Sequence, residues 1–76
     1  GYTLIRIGIV YGDSRDYKNE LKYYQQALIL NRELGNKDGE FRTLSNMGWH
    51  YNSQKNYDKA IDFWQQSLVV VREVQN

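Results

Sequence analysis

A chain of 76 residues supports one small domain whose hydrophobic core is marginal without further burial. Cysteine is absent, which excludes disulfides and thiolate metal sites, and proline is absent too, which favours long helices over a turn-rich β architecture. A formal net charge of +1 offers no basic excess for nucleic acid or an anionic membrane surface, and no apolar run approaches the length of a membrane span.

The first helix is predicted over residues 2–13, where Leu4, Ile7, Gly8 and Tyr11 follow the i, i+3, i+4, i+7 spacing of one buried stripe. Gly12-Asp13-Ser14-Arg15 breaks it. Asp16 is a good N-cap for a second helix over 17–34, and Leu21, Tyr24, Leu28 and Asn31 trace its inner face. Gly35 supplies the left-handed residue that ends it. The loop Asn36-Lys37 then leads to Asp38, expected as the cap of a third helix over 39–54, with Leu44, Met47, Gly48 and Tyr51 inward. Asn56 caps a fourth helix over 57–74, in which Ile61, Trp64 and Leu68 are expected to face inward.

A shift of 40 lays the sequence on itself. Thr3, Leu4, Gly8, Tyr11 and Tyr17 fall on Thr43, Leu44, Gly48, Tyr51 and Tyr57. Gln25, Gln26, Leu28, Arg32, Glu33 and Asn36 fall on Gln65, Gln66, Leu68, Arg72, Glu73 and Asn76. Chance would give roughly two or three identities over such an overlap, so the repetition is real. The expected organisation is a first repeat at 1–36 and a second at 37–76, together one unit.

With these residues in place, the chain resembles the tetratricopeptide repeat family in its longer, 40-residue variety. Leu4-x2-Ile7-Gly8-x2-Tyr11 and Leu44-x2-Met47-Gly48-x2-Tyr51 follow the first half of the W-x2-L-G-x2-Y signature, with leucine for tryptophan. Ala60-x3-Trp64 follows the A-x3-F half, whereas Glu20-x3-Tyr24 departs from it, with Glu where a small residue lets two helices approach. Arg32 and Arg72 stand at the usual proline positions, which fits a longer second helix. The resemblance implies an all-α fold: two helix-turn-helix units, four antiparallel helices in all, forming a short right-handed α-solenoid. It also implies a protein–protein interaction scaffold that binds a peptide or partner domain on a concave helix face, with no enzymatic activity. A cytoplasmic location is expected.

The residues opposite each packed stripe point toward the groove that stacked repeats form. At 100° per residue these are Tyr2, Arg6, Ile9 and Asp13 in the first helix, and Arg42, Asn46, Trp49 and Ser53 in the third, flanked by Ser45 and Asn52. An aromatic and an aliphatic side chain supply area for a ligand, while Arg and Asn can hydrogen-bond an extended backbone or its carboxylates. Related long repeats often carry Asn at the position of Asn46; Arg6 stands there in the first repeat, so no regular ladder forms, and a Lys/Asn carboxylate clamp is missing. Two readings of Trp49 stay open: ligand contact, or packing against a neighbouring repeat or chain.

Gly8 and Gly48 are read as close-packing positions rather than phosphate-binding ones, and Tyr11, Tyr24, Tyr51 and Trp64 as core. His50, the lone histidine, makes no metal site by itself and is assigned to the surface or to interhelical packing. No cofactor or metal is expected. The last helix carries Leu68, Val69, Val70, Val71 and Val74, and the first Ile5, Ile7, Ile9 and Val10, more apolar surface than one partner helix can cover. Because stacked repeats bury one another, further repeats of a longer array, or self-association through these end helices, is expected to cover that surface. A chain starting at Gly1 fits an excised piece of such an array. Two alternatives to the scaffold are a self-assembling repeat, end-stacked or domain-swapped, and a regulatory sensor segment of a larger multidomain protein.

Overall fold

The computed structural model describes residues 2–75; Gly1 and Asn76, the outermost residues of the two expected repeats, lie outside the described residues. Four helices follow in order, α1 (Thr3–Asp13), α2 (Tyr17–Glu33), α3 (Lys37–Ser53) and α4 (Tyr57–Gln75), and no strand occurs among the described residues. Connections this short leave consecutive helices antiparallel.

The three connections are the same local structure. Each preceding helix is closed by one left-handed residue, Arg15 (φ 62), Gly35 (φ 66) and Lys55 (φ 61). The next amide in each case donates back to a carbonyl five residues earlier: Asp16 to Tyr11 at 2.8 Å, Asn36 to Asn31 at 2.9 Å, and Asn56 to Tyr51 at 2.9 Å. This is the Schellman closure, which satisfies carbonyls orphaned at a helix end. The same three residues then cap the helix that follows. Asp16 Oδ1 accepts from the Asn19 amide, Asn36 Oδ1 from the Gly39 amide at 3.0 Å, and Asn56 Oδ1 from the Lys59 amide at 3.5 Å.

Asn36 therefore replaces Asp38 as the cap of α3, and α3 starts at Lys37, two residues earlier than expected. Asp38 lies inside the first turn, where an acidic side chain suits the helix dipole.

Packing runs between neighbours in the chain: α1 against α2, α2 against α3, and α3 against α4. The Cα envelope of 37 × 26 × 14 Å is only two helix layers thick. Ile5, Tyr24, Ala27 and Met47 form the buried cluster at the centre, with Leu4, Leu21, Leu28 and Phe63 against its edges. The repetition in sequence is repeated in contacts. Tyr11 stacks on Tyr23 and Tyr51 on Phe63, both with ring centroids 5.5 Å apart. A Cβ on Gly8 would stand 2.6 Å from the Tyr24 ring, and one on Gly48 would collide with the Trp64 indole, so both glycines let a ring lie against the neighbouring helix. Trp64 Nε1–H also donates to the Ser45 carbonyl at 3.2 Å.

On α4 the expected inner face is displaced. Ala60, Ser67 and Val70 are the buried residues, while Ile61 and Leu68 are 50% and 53% exposed. The extensive packing of α4 is against α3, and the stripe equivalent to Leu21 and Leu28 faces outward.

Candidate functional site

The stripe Tyr2, Arg6, Ile9, Asp13 and its counterpart Arg42, Asn46, Trp49, Ser53 lie at and along α1 and α3, two helices separated in the chain by α2. Their spacing keeps each set on one helix face. Two adjoining hollows, each of about 380 Å³, open along this face. Tyr2, Arg6, Ile9, Arg42 and Asn46 line one, together with Ile5, Phe41 and Ser45. Ile9, Asp13, Asn46, Trp49 and Ser53 line the other. Ile9 and Asn46 belong to both, so the eight residues border one continuous depression. Asn52 lies outside it.

Its two ends differ in chemistry. At one end Asp38 binds two rim residues: it accepts from the Tyr2 hydroxyl and pairs with Arg42 Nε at 3.2 Å, and the Arg42 guanidinium sits 5.0 Å from the centre of the Tyr2 ring. The hydrogen bond to Asp38 is the main reason the Tyr2 hydroxyl is held above its usual pKa. Arg6 has no carboxylate partner among the described residues, which leaves its guanidinium the open cation of this end. At the other end Trp49, 59% exposed, stands edge-on to Trp64 with centroids 5.0 Å apart. Ser53 Oγ donates to the Trp49 carbonyl at 2.9 Å and so closes on its own helix.

The walls beneath Trp49 come from α2, and the sequence stripe omits them. Tyr17, Glu20 and Tyr24 line this end with Gly12, Asp13 and Arg15. Glu20 is buried, and His50 Nδ1 donates to its Oε1 at 2.5 Å; His50 Nε2 in turn accepts from the Gln54 amide at 2.9 Å. The expected misfit of Glu20 is relieved at Gly12, where any Cβ would collide with the carboxylate. His50, 3% exposed, is thus an interhelical residue rather than a surface one. Burial, reinforced by the Glu20 charge, pushes the Tyr24 phenol well above its ordinary pKa.

Donors, five aromatic side chains and aliphatic area in an open depression suit non-covalent binding of an extended chain. Among the described residues no group of three or more His, Cys, Asp or Glu is placed to hold a metal, and no helix is long and apolar enough to cross a membrane. A family model described as Tetratricopeptide repeat matches residues 2–73. Comparison with curated proteins and with solved structures gives no match.

Proposed function

The chain belongs to the tetratricopeptide repeat family, and from that premise we propose that the α1–α3 depression grips an extended peptide segment of a partner protein. Members of the family generally mediate protein–protein interactions and are typically non-catalytic scaffold modules. The observation that carries the proposal is the convergence of residues from two non-adjacent helices on one depression bridged by Ile9 and Asn46. In this reading Trp49 and Ile9 bury apolar side chains of the ligand, Asn46 hydrogen-bonds its backbone, and Arg6 takes a carboxylate. The reading treats residues 1–36 and 37–76 as two repeats that each contribute one helix to the groove.

Selection from a displayed random-peptide library, followed by anisotropy titration of the enriched peptides, tests it. Trp49→Ala and Asn46→Ala should each weaken binding about tenfold or more with the helical circular dichroism unchanged. Enriched peptides that bind both variants as tightly as the parent chain would place the site elsewhere.

A second reading concerns the outer side of α4. Ile61 and Leu68 are exposed there, whereas their equivalents Leu21 and Leu28 are half covered, which favours another repeat of this kind as a partner of that face.

A further inference from the structure

The two hollows of the depression sit toward opposite ends of helices that run the same way. Consecutive helices are antiparallel, so α1 and α3 are parallel. Tyr2, the residue before α1, lines one hollow with Arg6 and Arg42, whereas Asp13 and Ser53, the last residues of α1 and α3, line the other. The dipoles of both helices therefore make the Tyr2 end positive and the Trp49 end negative.

Side chains add to the negative end. Asp13 stands at a helix C-terminus, where an anion is unfavourable; the last turn of α1 holds no basic residue, and no cation pairs with Asp13 among the described residues. Glu20 brings a second carboxylate to the same hollow. His50, which does not line the hollow, takes Glu20 Oε1, and Oε2 lies beside Gly12, which does line it. Burial is the main reason the Tyr24 phenol is raised, but the charges of Glu20 and Asp13 both add to it, which groups the two carboxylates around one lining residue. Arg15, which also lines this end, His50 when protonated, and the N-terminus of α2 oppose them. Trp49, Tyr17 and Tyr24 supply the aromatic wall. Ring faces attract a cation, tryptophan most strongly, and carboxylates accept its N–H groups. An uncharged ligand side chain would use the rings and leave Asp13 unpaired; a protonated one uses both.

We propose that the Trp49 end of the groove takes a lysine or arginine side chain of the partner peptide, with Asp13 and Glu20 binding its charge and Trp49 covering its stem. This rests on the reading of the depression as a peptide groove and adds the chemistry of one ligand position. With Arg6 holding a carboxylate at the other end, the ligand is a bipolar segment. Arg6 and Asp13 are two turns apart on α1, about 10 Å along its axis, which an extended chain covers in about three residues.

The probes are display-selected peptides whose affinity falls on Trp49→Ala, each also synthesised with its basic residue replaced by norleucine, which keeps a lysine-like stem without the charge. That replacement should weaken binding to the parent chain about tenfold by anisotropy. Asp13→Asn, at an exposed position, should cut the preference for the basic peptide about threefold, and Arg15→Gln, exposed too, should widen it. The norleucine peptides should bind all three chains alike. Groove-binding peptides that carry no basic residue, or that lose nothing with norleucine, overturn the cation site and leave the groove intact. A preference unchanged in Asp13→Asn overturns it as well. Peptides indifferent to Trp49→Ala overturn the groove reading and this site with it.

Discussion

Tyr24 is held by three elements at once. Its ring lies against Gly8 of α1, it shares the central cluster with Met47 of α3, and the carboxylate of Glu20, one turn earlier on α2, bears on its phenol. Burial and that charge raise the folded-state pKa above the ordinary tyrosine value of about 10, at which the unfolded phenol titrates. The contribution to stability is therefore complete below that value and is lost as pH climbs past it, because the unfolded chain releases the proton first. Lys37, raised chiefly by its hydrogen bond to Glu73, and Tyr2, raised chiefly by Asp38, act in the same direction. The urea midpoint should fall above about pH 10, and Tyr24→Phe should flatten that fall more than Tyr2→Phe does. Equal slopes in the two variants would assign the alkaline loss to other groups. The importance of Glu20 was hidden in the sequence for a related reason. Its partner His50 is 30 residues away and its repeat equivalent is Ala60, so neither local pattern nor repetition links the two.

At the level of helices, number, order and most boundaries follow from apolar periodicity and the 40-residue shift. The start of α3 does not. Asn36 and Asp38 are both good capping residues, and side-chain preference alone cannot choose between them. The choice is made by the end of α2, where the left-handed Gly35 returns the Asn36 amide to the Asn31 carbonyl and leaves Asn36 at the cap with no spacer. Asn36→Ala should accordingly cost about 1 kcal/mol in urea unfolding. Asp38→Ala, which removes only exposed contacts to Tyr2 and Arg42, should cost less. The reverse order would move the start of α3 to Asp38. The groove stripe on α1 and α3 was legible because it lies on single helices. Its floor was not, because Tyr17, Glu20 and Tyr24 reach it only through the crossing of α2.

For the whole molecule, contacts between successive helices make the protein a short linear array, in which protection should follow position rather than hydrophobicity. Helix α3 packs extensively on both α2 and α4, whereas α1, the shortest helix, packs chiefly on α2. In dilute solution the amides of α1 should exchange with deuterium first and those of α3 last, read by peptide-resolved mass spectrometry. Uniform exchange would mean a single cooperative unit. The three identical helix reversals carry this linearity into folding. Their left-handed residues, Arg15, Gly35 and Lys55, recur every 20 residues. A chain emerging from the ribosome thus meets the same local instruction at each interval, and each hairpin can form before the next has been made. No long loop has to close. Duplication or loss of a segment between equivalent turns would also leave every remaining turn intact, which gives a gene of this kind a simple way to change its length.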